Sequence, residues 1–358
     1  MRKIMSFLMI LVVVLLGGCS TQKIPKVIEK KVENVITFKN KIYRAAMYMS
    51  GINTMGVYNL ESKDNKYSLC TYDDQGNLLE EISFDSGKGP GELFYPSHMF
   101  MTGGYYWFHS TFSQTLSKFD ISGKFIDSYL LEGTNDYGAL GMIDGDLVYH
   151  GLGLTLLKKI DLKTNKVIES LEYNSKIKNH WIDPKKWDNM AIAGGCLLVD
   201  DDRDKIYIGY YNKPYRIEEY DSTFKLVRTF RFDLGGDYEI YRRGRGGFSG
   251  DCLISSMRIH DNRLYACYGH TWWASKKGSA RITKNPFFIL VYDLETGKLA
   301  EKITCPHIDD QAVGVFIIGV KNVKIYLYVI GNPESMQSFG DSIGYNLGNQ
   351  YGAIIVVK

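Results

Sequence analysis

The sequence predicts an all-β chain folded as a six-bladed β-propeller, its ring closed by the chain's own N-terminal strand. Three observations lead there. Aromatic residues make up 13% of the chain, glycine is plentiful, and apolar residues alternate in short segments with almost no helical periodicity, the pattern of half-buried strands. One unit recurs along the chain: an aromatic or aliphatic residue, then Asp, then a two-to-four-residue turn, then a strand. The last repeat lacks an outermost strand, and the N-terminal segment has one to spare.

Taken in order, the chain opens with Arg2 and Lys3, followed by the charge-free run from Phe7 to Leu16. That run is short for a transmembrane helix, which needs about 20 residues, and fits the apolar core of an export signal. Leu16-Gly17-Gly18-Cys19 then resembles a lipobox, so residues 1–18 are expected to be a lipoprotein signal peptide and Cys19 the lipidated N-terminus. Acyl chains on Cys19 would hold a soluble domain at a membrane. Residues 19–32, polar and lysine-rich, read as the tether, and residues 33–358 as the propeller. No acidic run follows Cys19, which tilts the expected location, an outer-membrane lipoprotein, towards the periplasmic side rather than the cell surface.

The first hairpin is Tyr72-Asp73-Asp74-Gln75-Gly76-Asn77 and the second Phe119-Asp120-Ile121-Ser122-Gly123-Lys124. Further copies start at Ile160-Asp161, Tyr220-Asp221 and Tyr292-Asp293. In each, the Asp side chain can cap the turn's N–H groups, while Gly or Asn accepts positive φ. Each copy joins the two outer strands of a blade. Upstream lie two inner strands, such as Gly195–Val199 with Lys205–Gly209 and Leu253–Ile259 with Arg263–Cys267, and four strands make a blade. Compact turns join the inner pairs: Gly103-Gly104, Asp144-Gly145, Asp261-Asn262 and Lys321-Asn322. The C-terminal stretch supplies Val313–Gly319, Val323–Ile330 and Gly352–Val357, and Asn34–Phe38 fits the vacant outer position, which would remove the last open sheet edge. Six blades is the count adopted; five and seven are the alternatives.

Gly87-Lys88-Gly89-Pro90-Gly91-Glu92-Leu93 with Pro96, continuing through Tyr106-Trp107-Phe108 to Phe119-Asp120 and Gly123-Lys124, is similar to an NHL-type repeat. Together with the lipobox and the six blades, the chain resembles the TolB-like six-bladed propeller lipoproteins of the Bacteroidetes type. The likeness covers nearly the whole mature chain, although the second blade alone matches the repeat motif well. It implies a fold and a cell-envelope location, and leaves activity open.

In a propeller, turns between strands one and two and between three and four open on one face, and the remaining connections on the other. Here the first set is short, and all four long insertions, at about 173–193, 233–251, 269–286 and 331–350, belong to the second. Loops longer than folding requires are disproportionately functional; neutral decoration is the competing explanation. The insertions carry Trp181, Trp187, Tyr241, Arg242, Arg245, His270, Trp272, Trp273 and Arg281, and every tryptophan except Trp107. Aromatic faces and forked guanidinium donors suit a glycan, particularly an anionic one, or an extended peptide.

Without Arg2 and Lys3 the 43 basic residues fall to 41 against 40 acidic ones, a balance that speaks against nucleic acid. Cys70, Cys196, Cys252, Cys267 and Cys305 include no Cys-x-x-Cys pair; buried free thiols are expected, with Cys252–Cys267 the candidate disulfide. Asp200-Asp201-Asp202-Arg203-Asp204 matches no calcium loop, and phosphate-loop, nucleophile-elbow and zinc-helix motifs are missing, so no metal or cofactor is expected. His307, Asp309 and Asp310 are the candidates for acid/base work at the channel mouth. The leading reading is a membrane-anchored, non-enzymatic propeller that binds a glycan, a peptide or an envelope protein on its long-loop face. The alternative is a propeller lyase or hydrolase acting at the channel mouth, and a scaffold in an envelope complex is a third.

Overall fold

The computed structural model describes residues 25–38, 50–53, 55–64, 66–131, 139–150, 155–172, 195–210, 216–231, 240–243, 247–250, 253–270, 287–309, 311, 313–348 and 350–358. They form six sheets arranged as the six blades of a β-propeller. Blade one is β3–β6 (Ser50–Ile52, Val57–Lys63, Lys66–Tyr72, Leu78–Asp85), and blade two is β7–β10 (His98–Thr102, Tyr105–Ser110, Thr115–Asp120, Phe125–Leu130). Blade three is β11–β14 (Ala139–Ile143, Asp146–His150, Thr155–Asp161, Lys166–Glu172), and blade four is β15–β18 (Gly195–Asp200, Lys205–Tyr210, Arg216–Asp221, Leu226–Arg231). A two-stranded hairpin, β19–β20 (Ile240–Arg243, Gly247–Gly250), follows. Blade five holds β21–β24 (Leu253–His260, Arg263–His270, Phe288–Asp293, Leu299–Thr304). In blades one to five the chain runs from an inner strand outward, and the inner strands follow one another around the axis, with β7–β11, β11–β15, β15–β21, β21–β25 (Gly314–Lys321) and β25–β3 in contact.

Blade six combines both ends of the chain. Its order is β2 (Val32–Ile36), β27 (Gly352–Val357), β26 (Lys324–Ile330), β25, with β2 antiparallel to β27. The outer strand is thus the N-terminal one, two residues earlier than the pattern predicts. Its closure is fastened to blade one: Tyr326 donates to Asp74 Oδ1 at 2.6 Å, and Lys324 Nζ lies 3.0 Å from both Asp74 Oδ2 and Glu33 Oε2. Residues 26–29, assigned above to the tether, form β1 (Lys26–Glu29), a fifth strand added parallel to β24 on blade five. Val27 points outward and Ile28 packs on the core. Lysines flanking so short a strand suit a solvent-facing edge.

All five Asp hairpins close as expected. Asp120 Oδ1, for instance, accepts from Ser122 N at 2.9 Å and Lys124 N at 3.0 Å, and Asp221 Oδ1 from Thr223 N and Lys225 N. Gly76, Gly123, Asn165 and Gly297 take the left-handed position, as turn chemistry demands. In blade four that position belongs to Phe224, with φ 58°. Its ring is buried among Ile206, Ile208 and Tyr220, so core packing holds a conformation that the local chain disfavours.

The core is a ring of six apolar clusters, one at each blade boundary. Between blades one and two, for example, Phe84, Phe108 and Phe119 pack edge to face with centroids 5.0–5.5 Å apart, a geometry the ring quadrupoles favour. Near the axis glycine lets inner strands approach: a Cβ on Gly141 would lie 2.4 Å from Val199 Cγ2, and one on Gly319 2.2 Å from Ile52 Cδ1. The insertion at 331–350 contains α1 (Pro333–Ile343), capped by Asn332 accepting from Ser335 N and ended by Gly344 at φ 80°, with Met336 and Phe339 in the core. Cys70, Cys196, Cys267 and Cys305 are free thiols. The candidate Cys252–Cys267 disulfide is therefore set aside: Cys267 stands opposite Ser256 and its Sγ faces Val315 O at 3.7 Å. Cys252 lies outside the described residues.

Candidate functional site

The strand order assigns every connection to a face. Turns β3–β4, β7–β8, β11–β12, β15–β16, β21–β22 and β25–β26 are tight, as are the outer Asp hairpins. The strand ends that flank the four long insertions all lie on the opposite face. Tyr241 and Arg242 sit on β19, paired with Ser249 and Phe248, and His270 ends β22 opposite Leu253. Trp181, Trp187, Arg245, Trp272, Trp273 and Arg281 lie outside the described residues, as do Cys19 and Asp310.

The described part of that face shows an aromatic group that the sequence reading passed over. The segment 86–97, joining blades one and two, carries Phe94 and Tyr95; the turn 111–114 of blade two carries Phe112. Phe94 and Tyr95 meet at 4.9 Å between ring centroids, and Tyr95 and Phe112 at 5.7 Å. Phe112 is 74% exposed and Tyr95 48%. Tyr95 also has a φ of 46°, a conformation that costs a non-glycine residue about 1 kcal/mol or more and is concentrated at binding sites. Lys88 places its ammonium 4.5 Å from the Phe94 centroid. The sequence signal was an aromatic residue inside an otherwise polar turn, Ser110-Thr111-Phe112-Ser113.

The Gly-rich motif shapes the same region. Glu92 folds back so that Oε2 accepts from Gly89 N at 2.7 Å. A Cβ on Gly87 would lie 2.0 Å from that oxygen, so a larger residue there would push the Glu92 carboxylate aside. Leu93 N donates to Asp85 O at 2.9 Å and Gly87 N to Leu93 O at 3.2 Å, with Leu93 buried. The segment forms a roof over a cavity of about 130 Å³, walled by Ser110, Ser113, Thr115, Ser117 and Ser128 and bordered by Phe94.

On the other side of blade two, His98 and His109 stand opposite each other across β7–β8 with ring centroids 6.0 Å apart. Ser97 Oγ lies 3.2 Å from His98 Nδ1, 3.4 Å from His109 Nδ1 and 2.7 Å from Thr111 Oγ1. Burial pushes the His109 imidazole down to about 4, and burial followed by the neighbouring His109 pushes half-buried His98 to about 3. Both rings are thus neutral at neutral pH.

His307 is exposed in a turn after β24, whereas Asp309 commits Oδ1 to Phe287 N at 2.8 Å. The structure places them in one turn without bringing the two side chains into a hydrogen-bonded pair. The Asp200–Asp204 run is used in the fold: Asp200 pairs with Arg203 at 2.9 Å and Asp201 Oδ1 accepts from Asp144 N of blade three. Among the described residues no three His, Cys, Asp or Glu side chains converge as a metal site, and no helix is long and apolar enough to cross a membrane.

No protein-family model and no curated protein matches the chain. Solved structures do. A member of the DUF4221 family from Bacteroides vulgatus superposes with a TM-score of 0.58 at 11% identity, over 92% of this chain and 97% of that one. A protein of Bacteroides fragilis described as a "Putative exported protein" gives a TM-score of 0.52 at 12% identity, over 93% and 99% of the two chains. At such identities the likeness is one of fold: the six-bladed propeller is shared almost end to end.

Proposed function

We propose that this chain is a lipid-anchored envelope protein whose propeller binds a glycan on its long-loop face, without catalysis. The observation that carries the reading is the Phe94–Tyr95–Phe112 group, in which Tyr95 and Phe112 are exposed. Large exposed aromatics are costly in water unless a partner covers them. Flat aromatic faces of this kind take the apolar faces of sugar rings, while guanidinium and ammonium groups nearby take their acidic substituents. In sequence the long insertions carry four tryptophans and Arg242, Arg245 and Arg281, residues of the type such a ligand would need.

The anchor rests on the Lys3-to-Cys19 pattern. The exported description of a Bacteroides protein with the same fold agrees with that compartment, as does the resemblance of the whole mature chain to TolB-like propeller lipoproteins. The test has two arms. Cys19→Ala should move the protein from the membrane fraction to the soluble fraction; membrane retention would remove the anchor. Binding to an array of neutral and acidic glycans should be lost in Phe112→Ala and in the Trp272→Ala/Trp273→Ala pair at unchanged melting temperature; retained binding would remove the site.

A further inference from the structure

The serine-walled cavity of blade two lies at positions that blades four and five fill. Cross-strand pairs Phe108–Ser117, Ser110–Thr115 and Ser117–Ser128 put all these side chains on the side of the sheet that faces blade one. The hairpin Asp of each blade gives a common register. Three residues before it stand Cys70, Ser117, Lys158, Glu218 and Leu290; five before it stand Ser68, Thr115, Leu156, Arg216 and Phe288. Blade four fills these positions with a closed network, in which Arg216 meets Glu218 at 2.8 Å and the Tyr210 and Tyr220 hydroxyls donate to the same carboxylate at 2.7 and 2.5 Å. Blade five fills them with Phe288 and Leu290, both in the core. Blade two has short hydroxyl side chains there, and a cavity of about 130 Å³ remains, roughly tenfold the space one water needs.

Two of the hydroxyls are uncommitted. Ser113 Oγ pairs with Thr115 Oγ1 at 2.6 Å, and Ser110 Oγ accepts from Ser113 N at 3.3 Å, but the Ser117 and Ser128 hydroxyls have no partner among the described residues. Ser117 is 9% exposed and Ser128 is exposed, so both hydroxyls are open to a group that enters the cavity. The two charged residues of the lining, Lys88 and Glu92, are both engaged. Glu92 is folded onto Gly89, and Lys88 stays at the rim over Phe94. Hydroxyls that both donate and accept, set beside the apolar Leu93, Phe108 and Phe125, suit a ligand of the same mixed character.

We infer that this cavity is a subsite for one uncharged sugar residue, held through its hydroxyl groups by Ser117 and Ser128 beneath the fixed Gly87–Glu92 roof. The inference rests on the glycan-binding reading and names its ligand more closely. Phe94 borders the cavity and touches Tyr95, which touches Phe112. The residue next along the glycan would therefore lie on the exposed rings.

The test is calorimetric titration of the mature chain from Cys19, in a detergent without a sugar headgroup. The probes are methyl glucoside, methyl galactoside, N-acetylglucosamine and glucuronate. At least one neutral sugar should bind saturably, more tightly than glucuronate. Ser117→Ala/Ser128→Ala, which keeps the cavity, should weaken it about tenfold, the scale of losing two hydrogen bonds; Ser117→Leu, which fills the cavity, should abolish it. Binding of no neutral sugar, equal binding of glucuronate, or indifference to the double alanine variant would overturn the subsite. A longer glycan lost in Phe112→Ala yet held equally by Ser117→Leu would overturn the subsite and leave the face standing.

Discussion

The Phe112 ring stands edge-on to Tyr95, 5.7 Å between ring centres and 67° between planes, while remaining 74% exposed. A side chain so open contributes little to folding, and its removal should change stability by no more than about 0.5 kcal/mol. Phe112→Ala is therefore expected to melt like the parent and to lose ligand at the long-loop face. A variant that both binds and melts normally would show the ring to be idle surface.

The ring's closure gives a stability prediction. Asp74 accepts from Tyr326 at 2.6 Å and pairs with Lys324 at 3.0 Å, joining blade one to the blade made from both chain ends. Asp74→Ala strands the Tyr326 hydroxyl and should cost about 1–3 kcal/mol in urea unfolding. Removing residues 25–36 should do more, because it bares the edge of β27, every residue of which is buried. Aggregation of the truncated chain is the expected readout; a monodisperse, fully stable product would refute the account of closure.

Phe224 offers a sharper test. Its φ of 58° opposes the residue, while its buried ring favours it. Phe224→Ala should cost about 3–5 kcal/mol. Phe224→Gly loses the same ring but releases the strain, so it should be milder by about 1 kcal/mol, the reverse of the usual order inside a strand. Equal costs would mean that the turn carries no strain.

His109 predicts the response to acid. Burial lowers its pKa from 6.5 to about 4. Below about 6.5 the unfolded chain takes up a proton at this residue that the folded chain refuses, so the folded state loses stability as pH falls from 6.5 towards 4. The hairpin aspartates act lower. Asp120, held down first by the Ser122 hydroxyl, keeps its stabilising effect above the ordinary Asp value of about 3.9 and loses it below. Urea midpoints at pH 7, 6 and 5 should decline for the parent and less steeply for His109→Asn; parallel slopes would exclude the histidine.

Much of the fold was legible because strand alternation and turn chemistry are local. Asp73, Asp120, Asp161, Asp221 and Asp293 each announce a hairpin, and the missing outer strand of the last blade pointed to the N-terminus. What escaped depended on partners distant in sequence. Lys26–Glu29 reads as a polar tether and becomes a strand only because β24 offers an edge. Phe224 takes a glycine's place because the core holds its ring. The helix α1 was legible in principle, from Asn332-Pro333 and Gly344, but one short helix is easily missed in a chain of strands. The Ser117–Ser128 pair shows nothing unusual until the blades are aligned on their hairpin aspartates.

The most direct measurement of the central claim is glycan-array binding by the mature chain and by Phe112→Ala. The account predicts at least one glycan held by the parent and released by the variant, with melting unchanged. An array that holds nothing, or a glycan bound equally by both proteins, would contradict it.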